Sequence, residues 1–247
     1  MTITPDEIQH FQEEGYLIFP GLIHGGKLLR LKGILDELVE RAKTFATSRD
    51  GFNLQPDAEG NLIPGRLFKV QGVCVAEPRI LELARDPDIV DRAASLLGPR
   101  LHIFGSKFYP MLPHGGTSTG WHQDNYYFGT TSHRVISCGI YLERCDPSNG
   151  CLRLVPRSHL SGQLLKHAHG QGAFGHGSWT EVDESLAIDV ECPAGTVVLF
   201  SANLLHGATT NTSDRSRYST AWHYIPADMD LESFPYGEYE DRFEVRN

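Results

Sequence analysis

The sequence predicts a mainly β fold, a barrel or sandwich of short strands with helices from the first part of the chain packed on it. Three observations carry that expectation. After Arg100, short apolar or alternating runs recur between Gly, Pro, Asn and Ser: LHIFGSKFY, GWHQDNYYF, RVISCGIYLE, GCLRLVP, GTVVLFS and RYSTAWHYI. Their spacing suits antiparallel strands joined by turns rather than βαβ units. Before Arg100 the leucines and isoleucines repeat at helical spacing instead. The chain has 247 residues, 40% of them hydrophobic and 21% charged, enough to bury a real core as one domain.

Taken in order, Thr4-Pro5-Asp6-Glu7 opens a helix: Thr4 caps, Pro5 suits the first helical position, and Glu7 reaches back in a capping box. Gly15 ends that helix, and YLIFPGLI follows as a strand into a turn. Leu28, Leu31, Leu35 and Leu38 mark a second helix from about Gly26 to Phe45. Residues 48–65 are rich in Gly, Pro, Asn and Asp and read as a loop or hairpin. Two short helices are expected across EPRILELARDPDIVDRAASLLG, split at Pro87 and stopped by Gly98. The helical part thus covers about residues 1–100 and the barrel about 101–226. Between Ser158 and Glu191 lies a long Gly/His-rich insertion, and long loops in compact domains are usually lids or binding loops.

A net charge of −9 offers no basic face to phosphate, so neither nucleic acid nor an anionic membrane is an expected partner. No apolar run approaches the ~20 residues of a membrane span. The N-terminus is acidic and polar, unlike a signal peptide. Five cysteines without a CxxC pair suit a reducing compartment. A soluble cytoplasmic protein, monomer or homodimer, is expected.

The stretch GWHQDNYYF places His122 and Asp124 two residues apart among aromatics. In a strand, residues i and i+2 share a face, so both would project together, with Trp121 and Gln123 pointing away. Imidazole plus carboxylate on one face is two-thirds of the facial triad that binds non-haem Fe(II). A hydrogen-bonded His–Asp pair on a sheet is the plainer alternative, and for an isolated HxD it is the commoner one. The balance shifts further along. His206 follows the strand run GTVVLFS, in a turn with Gly207 beside it, and Arg217 heads another strand eleven residues later. A buried arginine is a good bidentate partner for a small dicarboxylate. Adjacent antiparallel strands would bring the two within one small-molecule length.

This ordered set resembles the phytanoyl-CoA dioxygenase family of Fe(II)/2-oxoglutarate oxygenases. The segment SNGCLRLVPRSHLSG (residues 148–162) resembles the family's NGxL…PGSH stretch, with Arg157 where glycine is usual. FKVQG (68–72) resembles the segment that supplies a lysine to the co-substrate, and the likeness runs from about Glu7 to Pro226. The resemblance implies a double-stranded β-helix (jelly-roll, cupin-like) barrel with N-terminal helices packed on it. It implies His122, Asp124 and His206 as iron ligands, Arg217 as partner of the distal carboxylate of 2-oxoglutarate, and Lys69 as the co-substrate lysine. Thr119, Lys107 and Tyr109 fall where relatives contact co-substrate or substrate. A tryptophan of some relatives falls near Gly139 here, which would open the pocket or make room for a different side chain.

The chemistry so implied uses Fe(II), 2-oxoglutarate and O2 to oxidise a small-molecule substrate, usually by hydroxylation, with release of succinate and CO2. Asp124 argues against a halogenase, whose relatives lack that carboxylate. A non-catalytic binding barrel and a Zn-dependent hydrolase are the alternatives; the first would be favoured by a lost ligand, the second by a fourth ligand as in HxHxD, and neither is present. GTSTG (116–120) fits the nucleophile-elbow pattern but is followed by a strand-like run where a helix is needed. His159, His167, His169 and His176 read as a solvated lid rather than a second metal site. Cys145 and Cys151 flank a turn and read as buried free thiols. Tyr126, Tyr127, Phe128 and Trp222 divide between core and pocket wall.

Overall fold

Thr4 starts the first helix as its chemistry requires: its hydroxyl accepts from the Glu7 amide, and the Glu7 carboxylate accepts from the Thr4 amide at 2.7 Å. In the computed structural model, which describes residues 2–116, 118–169, 178–230 and 241–247, that helix is α1 (Pro5–Glu14). Gly15 ends it at φ 89°, where an added Cβ would lie 2.5 Å from the His159 ring. Strand β1 (Tyr16–Phe19), helix α2 (Gly25–Ala42) and a hairpin of β2 (Phe52–Pro56) and β3 (Leu62–Gln71) follow. The segment 48–65 therefore contributes strand as well as turn. Three short helices come next: α3 (Val73–Ala76), α4 (Arg79–Ala84) and α5 (Pro87–Leu97), with Asp86 capping α5.

The strand-rich part runs β4 (Leu101–Tyr109), β5 (Thr119–His122), helix α6 (Asp124–Phe128), β6 (Ile136–Tyr141) and β7 (Leu152–Leu154). Then come two-residue strands β8 (Ala168–His169), β9 (Ser178–Trp179) and β10 (Ile188–Asp189). Strands β11 (Thr196–Ser201), β12 (His206–Ala208), β13 (Ser219–Pro226) and β14 (Arg242–Arg246) complete the order. One large sheet has the order β1-β11-β6-β13-β4-β3-β2, with β14 also on β4; a small sheet has the order β10-β7-β12-β5. The pairings between neighbours are antiparallel.

Alternation on the strands of the large sheet sorts its side chains. On β6, Ile136, Cys138 and Ile140 enter a core shared with Leu35, Leu38, Ile80 and Ile89 of the helices, together with Trp222 and Tyr224 of β13. Each fully buried aliphatic side chain there is worth about 1.5–3 kcal/mol. The opposite face of β6, with Ser137, Gly139 and Tyr141, lines a cavity that the small sheet also borders. Helices thus cover one face of the large sheet and leave the other to the small sheet.

Two expectations are corrected. The motif run is not one strand: β5 stops at His122, and Asp124 opens α6. His206 lies within β12 rather than in a turn, and β12 belongs to the small sheet whereas Arg217 leads into the large one, so the two face each other across the cavity instead of standing on neighbouring strands. The cysteine reading holds, since all five thiols are free and buried; Cys145 meets Cys192 in an isolated bridge, their amides and carbonyls bonding reciprocally at 2.8 and 3.1 Å. Arg157 takes φ 68°, the left-handed region that favours glycine, which accounts for glycine being usual there.

Candidate active site

His122 and His206 stand opposite each other on β5 and β12, with ring centroids 4.1 Å apart. Both use one local device: Nδ1 donates to the carbonyl two residues earlier, Gly120 at 2.8 Å and Leu204 at 2.9 Å. In the neutral ring that bond fixes the tautomer, with the hydrogen on Nδ1 and the lone pair on Nε2. Asp124 comes to the same point from the start of α6, its Oδ1 3.6 Å from His122 Nε2 and its Oδ2 3.5 Å from His206 Nε2. The three ligand atoms lie within 4.8 Å of one another, and all three residues are buried.

Burial opposes charge on Asp124, but His206, His223, His122 and Lys107 around it hold its carboxyl well below the usual range. Burial and the neighbouring His122 push His206 down to about 4, so its imidazole is neutral near pH 7. Three acceptor atoms therefore converge with no hydrogen directed between them. Such a set is repulsive until a cation enters, and two imidazoles with one carboxylate fit Fe(II).

Arg217 lies across the cavity, 4% exposed. Its Nη1 donates to Ser219 Oγ at 2.8 Å, its guanidinium sits 5.4 Å over the Tyr141 ring, and its Nε is buried without an acceptor among the described residues. An orphan donor on a buried cation calls for an anionic ligand. The place of the relatives' tryptophan is filled from within this chain: a Cβ on Gly139 would come 3.1 Å from Tyr141 Oη, so the small residue makes room for Tyr141. Burial pushes the Tyr141 phenol up, and it stays a protonated donor.

Of the other expected residues, Thr119, Lys107 and Tyr109 line this cavity together with His122, Asp124, His206 and Arg217. Lys69 is not in the lining. It sits on β3, opposite Asn53, one strand beyond Lys107. Burial and the nearby Lys107 lower its ammonium to about 8. The cavity holds about 100 Å3. At ~10–15 Å3 per water position, that space suits a small dicarboxylate.

Ser137, Tyr141, Ser219 and His223 also face the cavity, and the sequence reading passed over them. The alternation in ISCGIY was the available signal, since it sends Ser137, Gly139 and Tyr141 to one face. The aromatics go to structural work instead. Phe128 packs on Phe104 and His223, Trp222 is fully buried in the core, and Tyr126 stacks on His167. His159 and His167 are not solvated: they are 4% and 5% exposed, bonded to the Gln12 carbonyl and the Gln123 amide. His176 and the side chain of His169 lie outside the described residues. The described ends of the insertion grip the back of the motif: Gln123 bonds Gln163 and Leu165, Thr180 bonds Trp121, and Ser178 bonds Tyr127. Ser118 leads into a strand, not a helix, so the elbow pattern has no elbow.

Comparison with known proteins agrees with this geometry. The chain is 25% identical to Phytanoyl-CoA dioxygenase domain-containing protein 1 of Bos taurus over 264 residues, covering 91% of each chain. It is 31% identical to a probable alpha-ketoglutarate-dependent hypophosphite dioxygenase of Stutzerimonas stutzeri, over 64% of this chain and 57% of that one. The crystal structure of EctD from S. alaskensis with 2-oxoglutarate and 5-hydroxyectoine superposes with a TM-score of 0.73 at 21% identity, covering 94% of this chain and 79% of the other. That likeness shows the fold, a double-stranded β-helix with added helices. With the Phytanoyl-CoA dioxygenase (PhyH) family profile matching residues 11–219, a stretch that contains the acceptor triad and Arg217 alike, the chain belongs to that family.

Proposed function

We propose that His122, Asp124 and His206 hold Fe(II), that Arg217 anchors the distal carboxylate of 2-oxoglutarate, and that a small polar substrate is oxidised in the remaining space. The protein is a 2-oxoglutarate-dependent oxygenase, releasing succinate and CO2 as it consumes O2. One observation carries the residue assignment: three acceptor lone pairs converge on one side of a cavity whose other side presents a buried arginine with an orphan Nε. Bound Fe(II) supplies the oxygen chemistry. The chain's own residues bind, orient and keep water out.

Ser219 fixes the guanidinium by accepting from Nη1, and the Tyr141 ring supports it from below. Thr119 and Tyr109 border the space left for co-substrate and substrate. Lys107, reinforced by Lys69 behind it, makes that space positive and suits an anionic group. The relative named for hypophosphite and the neighbour holding 5-hydroxyectoine carry small polar molecules; we extend that size class to this chain. Five buried free thiols support a cytoplasmic location. The described start of the insertion of residues 158–191 is anchored through Gln123, which supports reading it as a cover; its stretch 170–177, on which that reading falls, lies outside the described residues.

Adding Fe(II) and 2-oxoglutarate without oxygen tests the site: a visible charge-transfer band that neither addition produces alone is expected. A screen for substrate-stimulated succinate release then identifies the substrate class. Absence of the band together with absence of succinate would remove the assignment. Hydrogen exchange tests the cover: protection across 162–178 should rise on substrate binding, and equal protection would reduce the segment to a surface loop.

A further inference from the structure

Behind Asp124 stand three polar side chains that metal and co-substrate binding leave unexplained: Ser137 on β6, His223 on β13 and Lys107 on β4. Ser137 and His223 are each 2% exposed, and buried polar groups are costly unless bonded to one another. Ser137 Oγ lies 2.6 Å from Asp124 Oδ2 and 3.1 Å from His223 Nδ1. His223 Nε2 lies 3.5 Å from Lys107 Nζ.

The hydrogens follow by elimination. A carboxylate has none to give, so the Ser137 hydroxyl donates to Asp124. With that hydrogen committed, Ser137 Oγ can only accept from His223, which places the imidazole hydrogen on Nδ1. Nε2 is then a lone pair, and it faces an ammonium that can only donate. Every bond points the same way, from Lys107 to His223 to Ser137 to Asp124. The rings of Phe104 and Phe128 pack on the imidazole at 5.2 and 4.8 Å between centroids and hold it in place.

We propose that His223 is a positioning residue: acting through Ser137, it restrains Oδ2 of Asp124, the oxygen 3.5 Å from His206 Nε2, and so sets how the carboxylate meets the metal. The inference rests on the reading of His122, Asp124 and His206 as the Fe(II) site. Its consequence is coordinative. A triad of single donor atoms leaves positions open for co-substrate and oxygen, whereas a carboxylate binding through both oxygens would take up one of them.

The test uses the full-length apo-protein and Co(II), which withstands air, read by calorimetry and by the Co(II) visible spectrum. Ser137→Ala and His223→Leu should weaken Co(II) binding about 10–100-fold, the usual effect of losing a partner of a metal ligand. Both should also alter the Co(II) absorption, since the carboxylate is free to change its mode. His223→Asn, whose amide can place an N–H near the position of Nδ1, should recover most of the affinity and the native spectrum. Unchanged affinity and spectrum in Ser137→Ala would overturn the proposal. So would a folded His223→Asn that binds as weakly as His223→Leu, because packing alone would then explain His223. If His223→Leu does not fold, Ser137→Ala decides, as it removes only a hydroxyl. Failure of the unsubstituted protein to bind Co(II) or Fe(II) would sink the metal assignment and this inference together; metal binding indifferent to these variants would sink this inference alone.

Discussion

The two walls of the cavity are built differently. The small-sheet wall carries His122 and His206, each fixed by its own backbone two residues back, on strands that face each other directly. The large-sheet wall carries Lys107, Ser137, Tyr141, Arg217 and His223, drawn from three strands and a loop and meeting one another across distant parts of the chain, with Arg217 held also by Ser219 two residues on. The metal wall is a local construction and the charged wall a tertiary one. The local device is not diagnostic by itself, since His24 and His167 also bond the carbonyl two residues back without forming part of the triad. What distinguishes His122 and His206 is convergence on Asp124.

The largest effect should come from the metal wall. Asp124→Ala removes the only carboxylate of the triad, and both metal binding and succinate release should fall below detection while the circular dichroism stays native. Near-normal turnover would show that the triad is structural. Next comes the opposite wall. On the proposed anchoring, Arg217→Ala leaves the co-substrate carboxylate unpaired, at a cost of about 2–5 kcal/mol, so the 2-oxoglutarate requirement should rise steeply, with Arg217→Lys intermediate. Arg215 is exposed and pairs with Asp146 at 3.2 Å, so Arg215→Ala should change that requirement little. The reverse ranking would mean that the anchor has been placed two residues too far along the chain.

Gly139→Ala is subtler. Its Cβ would press on Tyr141 at 3.1 Å, and overpacking of this kind costs about 1–3 kcal/mol of stability. Titration should show weaker 2-oxoglutarate binding, though less so than Arg217→Ala; unaltered binding would relieve Tyr141 of any part in supporting Arg217. The smallest effect concerns pH. Folding lowers Lys69 to about 8, below its unfolded value, so the penalty of burying its charge is complete below pH 8 and fades as pH rises toward the unfolded value. Lys69→Met should therefore raise the unfolding midpoint of the apo-protein near pH 7, and the gain should shrink above pH 8. A gain independent of pH would attribute it to packing.

Much of this molecule was legible in the chain. The capping box at Thr4 and Glu7, the stop at Gly15, the break at Pro87 and most strand runs follow from hydrogen-bond and steric rules acting over a few residues. The acceptor triad and Arg217 were legible too, because ligand chemistry restricts residue type and the ordered set fits one family. Misreadings came where a neighbour overrode the local pattern. Period-two spacing cannot distinguish a strand from one that ends at His122 and turns into α6, since both bring Asp124 beside His122. Nor could spacing show that β12 and β13 enter different sheets, because sheet membership is decided by partners far away in the chain. Ser137, Tyr141 and His223 are ordinary strand residues by sequence. Only when β6 and β13 pair, with Cys138 and Trp222 turned to the core, do their side chains meet behind Asp124 and beside Arg217. Residue chemistry along the chain sets which atoms could hold a metal and an anion; strand pairing sets which buried polar groups orient them, because that depends on strand partners and not on strand composition.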